Sequence, residues 1–158
     1  MTQRRTNRRP TRRAILNTSF VSMATVLATA ELSAAAGDEV RLQPYDKVEP
    51  ENYPWGWIRW LMNGQIDPHA EMTMGLVHFN PHQTNVLHIH PNSAEYLHVI
   101  SGSSEHLMGD RWVTLKAGDT LRIPKGVPHQ ARTKDESFRA LIVYDTPKRI
   151  MVPVTDGK

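Results

Sequence analysis

The chain of 158 residues contains no cysteine. That excludes a disulfide framework, a thiolate metal site and a cysteine nucleophile. Any transition metal must therefore be held by histidine, carboxylate or water. A membrane-spanning run is also lacking. The one extended uncharged stretch, Ala14 to Ala30, is diluted by Asn17, Thr18, Ser19, Ser22 and Thr25, whereas a spanning helix needs about 20 predominantly apolar residues. Excess positive charge is missing from most of the chain. Residues 1–36 hold six arginines against the single acid Glu31, a net +5, while the remainder carries 13 basic and 15 acidic residues, a net −2. A faintly acidic domain offers no footprint for a phosphate backbone, which argues against a nucleic-acid partner.

What the first 36 residues do contain is the order of features of an export signal: an arginine-rich start, an uncharged run, then the small residues Ser33 to Ala36. Within it, Arg12-Arg13 followed shortly by Ile15 and Leu16 resembles the twin-arginine export motif. The resemblance implies a periplasmic or secreted protein, translocated already folded, with residues 1–36 removed and no stable membrane span afterwards. Residues 37–52, polar and holding Pro44 and Pro50, read as a linker or N-terminal arm. The domain is expected over 53–150, with 151–158 as a C-terminal tail.

Aromatic residues are sparse at 7%, yet Trp55, Trp57 and Trp60, three of the four tryptophans, crowd into one segment. They suit cover over a core edge, a contact between two copies of the chain, or a stacking platform for substrate. The one short helix is expected here, over Trp57 to Met62. From Met72 onward, short apolar or alternating runs are separated by turn residues. Strands are expected over Met74–Phe79, Asn85–His90, Glu95–Ser101, Glu105–Met108, Arg111–Leu115, Thr120–Ile123 and Phe138–Asp145, with a tight hairpin at Met108–Arg111. Many short strands with little helix between them indicate an all-β sandwich or barrel.

The chemistry sits in two histidine clusters. His88 and His90 are two residues apart on an expected strand, so both side chains point the same way. Glu95 follows after a Pro91-Asn92 turn. Far along the chain, a strand runs into Pro124-Lys125-Gly126, and His129 follows. Three imidazoles and one carboxylate suit one divalent first-row metal, Fe, Mn, Ni, Cu or Zn, and leave open positions on a six-coordinate ion.

These residues resemble the two motifs of the cupin superfamily. His88, His90, Glu95 and Gly102 fit the first motif, and Gly118, Pro124, Gly126 and His129 the second. The 15 residues from Ser103 to Ala117 match a short spacer between them. Two positions depart: His82 stands where the first motif begins with glycine, and Thr133 where the second ends with asparagine. The resemblance implies a small jelly-roll β-barrel with an N-terminal arm, with His88, His90, Glu95 and His129 as metal ligands. It also implies positive-φ turns at Gly102, Gly118 and Gly126, a small-molecule ligand, and pairing into a homodimer.

Beyond the ligands, Arg122 and Arg139 could hold a substrate carboxylate, and Tyr144 could donate a proton. His98 alternates away from the metal face. His69, His78, His82 and His106 are expected as polar surface positions. The functional expectation is an exported metal-dependent enzyme acting on a small organic molecule, with dioxygenase-like chemistry as the leading form. A decarboxylase, a lyase or isomerase, a non-catalytic metal- and ligand-binding module and a structural ion site are the alternatives.

Overall fold

The computed structural model describes residues 41–155. The expected export segment, 1–36, lies outside the described residues. Among the described residues, a single 3-10 turn, Tyr45–Lys47, precedes eleven strands: β1 (Glu51–Tyr53), β2 (Gly56–Met62), β3 (Thr73–Phe79), β4 (His88–Ile89), β5 (Glu95–Ser101), β6 (Ser103–Met108), β7 (Arg111–Lys116), β8 (Thr120–Ile123), β9 (His129–Arg132), β10 (Phe138–Tyr144) and β11 (Val152–Pro153). Six strands form one sheet in the order β1-β2-β3-β10-β5-β8, and five form a second in the order β11-β4-β9-β6-β7. All pairings are antiparallel. The two sheets form the expected jelly roll, not fully closed, with little helix.

Period-two burial explains why these segments form strands. In β10, Phe138, Ala140, Ile142 and Tyr144 are buried, while Arg139, Leu141 and Val143 face the other side. In β5, Glu95, Leu97 and Val99 point inward, and Tyr96, His98 and Ile100 outward. A core of Ile58, Val77, Phe79, Val99, Leu115 and Phe138, among others, fills the space between the sheets.

The segment Trp57 to Met62, expected as helix, is strand β2, hydrogen-bonded to β1 and β3. Its pattern explains the correction: Ile58 and Trp60 pack toward the core, and Trp57 and Arg59 alternate to the outer face. That is a period of two, which a helix cannot bury on one side. Glu51 and Asn52, the end of the expected linker, pair with Tyr53 as β1, and Val152–Pro153, expected as tail, pairs with β4.

The glycine-led turns close as the motifs require. Gly102, Gly118 and Gly126 have φ of +75°, +90° and +74°, a region that side chains with a Cβ avoid. The hairpin Met108–Arg111 turns through Gly109 at φ +66°. The two departures from the motifs meet at one turn. His82 adopts φ +58° in the 80–84 turn, and the hydroxyl of Thr133 donates to the Asn80 carbonyl at 2.6 Å and accepts from the Gln83 amide at 3.0 Å. Among the described residues, no helix is long and apolar enough to cross a membrane.

Candidate metal centre and cavity

The ligand positions come from both sheets. His88 on β4 stands directly across from His129 on β9, and His90 follows β4 by one residue on the same face. Glu95 begins β5 in the opposite sheet. The turn between His90 and Glu95 folds back so that the Gly126 amide donates to the His90 carbonyl at 3.0 Å, tying the two motifs together. His88, His90, Glu95 and His129 are all buried, and their potential ligand atoms lie within 4.8 Å of one another.

Each ring is oriented by a backbone carbonyl. The Nδ1 atoms of His88, His90 and His129 lie 2.8, 2.8 and 2.9 Å from the carbonyls of Val86, Ile150 and Val127. A carbonyl only accepts, so Nδ1 must carry the hydrogen, and in the neutral ring Nε2 is left with a lone pair. The Nε2 atoms of His90 and His129 approach the Glu95 carboxylate at 3.2 and 3.3 Å. Neither contact has hydrogen-bond alignment, so both nitrogens remain buried without a partner. Buried, convergent and unsatisfied nitrogens beside a carboxylate are what a divalent ion requires. The donor set fits one such ion.

The four side chains also act on one another's charge. Burial pushes the Glu95 carboxyl up, but the contacts with His129 and His90 override it and hold the group well below the usual carboxylate range. Burial would lower His129, but the adjacent Glu95 outweighs it and raises its pKa. Burial, reinforced by repulsion from His129, lowers His88 to about 4.

Three of the four candidate ligands, His88, Glu95 and His129, line a cavity of about 130 Å³. Tyr53, Trp55, Ile58, Val77 and Phe79 contribute to its apolar side, and Trp55 stacks on both Tyr53 and Phe79 at ring separations of 4.7 and 4.3 Å. The tryptophan segment thus divides its work: Trp55 lines the cavity, while Trp57 stacks on His78 on the outer face at 5.2 Å.

Of the three further candidates, only Tyr144 reaches the cavity. It is buried and stands directly across from Glu95 in the sheet. Burial, together with the negative charge of Glu95, raises its phenol well above the ordinary value. Arg122 faces outward, its Nε 3.3 Å from the Tyr96 hydroxyl. Arg139 lies on the outer face with its guanidinium 5.7 Å from the Trp57 ring. Both are therefore removed from the ligand-binding side by strand alternation. His98 also faces out, bonded to Thr120.

His106, expected at the surface, lines the cavity at 3% exposure. The strand begins at Ser103, and Ser104 and His106 share its inner face opposite β9. The His106 ring lies 3.0 Å from the Ser104 hydroxyl, and burial lowers its pKa to about 4. Arg149, which follows β10 in a loop, is the second residue that the sequence did not reveal. It belongs to no strand pattern, so only the fold brings it to the site.

Residues 75–144 match the family model described as the cupin domain. No curated protein matches the chain. Solved structures similar in fold include the Lactobacillus farciminis oxalate decarboxylase formate complex, 21% identical with a TM-score of 0.64, covering 69% of this chain and 34% of that one. The Bacillus subtilis oxalate decarboxylase at pH 4.6 is 21% identical with a TM-score of 0.61, covering 67% of this chain and 29% of that chain. A structure concerned with the Mn(II) centres of the same Bacillus subtilis enzyme is 22% identical with a TM-score of 0.62, over 67% and 30%. This chain therefore spans about a third of the length of the solved chains it matches.

Proposed function

Because residues 75–144 match the cupin-domain model and the cluster of His88, His90, Glu95 and His129 could hold one divalent metal, we propose that the chain is a metal-dependent cupin enzyme acting on a small organic molecule in the cavity. One observation carries this reading. Three imidazoles have committed Nδ1 to carbonyls and direct Nε2 toward one point beside Glu95, on the wall of an apolar cavity. His88, His90, Glu95 and His129 would hold the ion, and a bound divalent metal supplies Lewis-acid polarisation of a carboxylate, enolate or phenolate oxygen.

The chain's own residues supply the remaining functions. Trp55, Ile58 and Phe79 bury the body of the molecule and exclude water. Tyr144 keeps its phenolic proton at neutral pH and holds it beside Glu95, where it can donate to a substrate oxygen. His106 stays neutral on another wall and can accept a proton.

Oxygenase-type chemistry suits a three-histidine, one-carboxylate site with open positions. Decarboxylation is the activity named for the similar solved structures. The site of action we propose is the periplasm or beyond, on the strength of the arginine-rich opening and the small-residue stretch at Ser33 to Ala36. The outer sheet face exposes Tyr96 and Ile100 beside Leu141 and Val143, which supports pairing of two copies.

The test is elemental analysis of the full chain purified without chelators, with His88→Ala as control. About one equivalent of metal, lost in the variant, is expected. Turnover of organic acids and phenols is then followed with a dioxygen electrode: oxygen uptake marks an oxygenase, and carbon dioxide release without uptake marks a decarboxylase. Metal and ligand binding with no turnover would make the protein a binding module. Absence of metal in a folded wild-type chain would overturn the reading.

A further inference from the structure

We propose that Arg149 is the carboxylate receptor of this cavity, so that the substrate is a small organic acid with an apolar body. The proposal deepens the metal-dependent reading above and rests on it for the opposite end of the substrate.

Arg149 lines both the cavity and the open cleft beside it, which is bordered by Glu51, Trp60, Asn63 and Lys148. It therefore stands at the boundary between solvent and the metal wall. Two rings fix its guanidinium: the centroid of Trp60 is 4.8 Å away and that of Tyr144 is 5.3 Å away. Aromatic faces orient a guanidinium without consuming its N–H donors, and these match a carboxylate two at a time. Among the described residues, Arg149 has no ion-pair partner. The nearby acid Glu51 is committed to the Trp60 indole N–H at 2.7 Å.

The backbone on either side of Arg149 is pinned by the first histidine motif. Asn92 donates from Nδ2 to the Lys148 carbonyl at 2.7 Å and accepts from the Ile150 amide at 3.0 Å. His90 Nδ1 bonds the Ile150 carbonyl at 2.8 Å. The Gly64 amide bonds the Pro147 carbonyl at 2.9 Å. The turn that carries a metal ligand thus also sets the position of the cation. The cavity that Arg149 shares with the candidate ligands is mostly aromatic and aliphatic, with Trp55, Phe79 and Met151 in its lining. A neutral substrate would leave the guanidinium without a direct carboxylate partner, and a small diacid would leave the apolar walls uncovered. A monoacid whose apolar body carries an enol or phenol oxygen at its far end satisfies both and leaves that oxygen for the metal.

The test measures binding of benzoate and of its neutral counterpart benzamide to the full chain, metal-free and loaded with Mn(II), by calorimetry and quenching of tryptophan fluorescence. In the metal-free wild type, benzoate is expected to bind about 10- to 100-fold more tightly than benzamide, the range for a hydrogen-bonded charge pair. Arg149→Gln should abolish that preference, and Arg149→Lys should keep part of it. Both variants should retain the wild-type metal content and melting temperature. A preference that survives Arg149→Gln overturns the proposal while leaving the metal reading intact. An Arg149-dependent preference in a chain that binds no metal does the reverse. Failure of wild type to prefer benzoate also overturns it.

Discussion

At the scale of single residues, the site is governed by which nitrogen carries a proton. His106 is buried and its pKa is lowered to about 4, against about 6.5 for an exposed imidazole. Above pH 6.5 the ring is neutral in folded and unfolded chains alike and contributes no pH dependence. Between 6.5 and 4 the unfolded chain takes up a proton that the folded chain refuses, so stability is lost as pH falls. Across that window the cost reaches about 3 kcal/mol for this residue. Urea unfolding of metal-free protein at pH 7.5, 5.5 and 4.5, repeated in His106→Gln, should show a smaller acid loss in the variant. Equal losses would remove His106 as the source.

A second consequence concerns metal affinity. Glu95 raises the pKa of His129 in the metal-free site, so a proton competes with the ion there. His88, lowered to about 4, imposes no such competition near neutrality. Mn(II) affinity, followed by the spectrum of the free aqueous ion, is expected to rise with pH until His129 is neutral and then level off. Glu95→Gln should weaken binding and flatten the rise, because it removes both a ligand and the charge that holds the competing proton.

At the scale of elements, the turns carry more of the burden than the strands. Gly102 and Gly118 both have positive φ, but a Cβ at Gly102 would lie 1.9 Å from the Ser137 carbonyl oxygen, whereas one at Gly118 meets open space. Gly118→Ala should cost about 1 kcal/mol from backbone strain alone. Gly102→Ala must also move backbone and should cost at least about 2 kcal/mol more. Thermal melts of the two variants distinguish strain from collision, and equal losses would contradict the close approach at Ser137. The 80–84 turn shows how a departure from motif is absorbed. Thr133 uses its hydroxyl to donate and accept within that turn, and this holds His82 in a conformation more common for glycine.

At the scale of the whole molecule, the metal centre joins the two sheets, since His88 and His129 belong to one and Glu95 to the other. An ion that binds only the folded chain stabilises it by about 2.7 kcal/mol at a hundredfold excess over its dissociation constant. Mn(II) should therefore raise the melting temperature and a chelator reverse it, with His88→Ala insensitive to both. An equal shift in the variant would mean the ion acts elsewhere. Beneath the site, Phe138 is fully buried, and Phe138→Ala is expected to cost about 3–5 kcal/mol in denaturant unfolding.

The four ligand positions were legible in the sequence because their spacing is local. Two residues along a strand share a face, and a short turn returns the chain to Glu95; His129, far along the chain, was joined to them by donor chemistry, and the family pattern then matched the same set. The all-β class was legible for the same reason, since alternation and turn residues act over a few positions. The Trp57–Met62 segment was misread because its alternation is masked by aromatic and charged residues on both faces, and pairing with β1 and β3 decides its conformation. By itself the sequence determined the candidate ligand cluster and the strand chemistry, through periodicity and turn geometry. Only the tertiary structure decided that His106, Tyr144 and Arg149 share a cavity with the ligands while Arg122 and Arg139 do not. Which face of a strand looks inward, and where a loop comes to rest, depends on sheet pairing between residues far apart in the chain, and no local spacing encodes it.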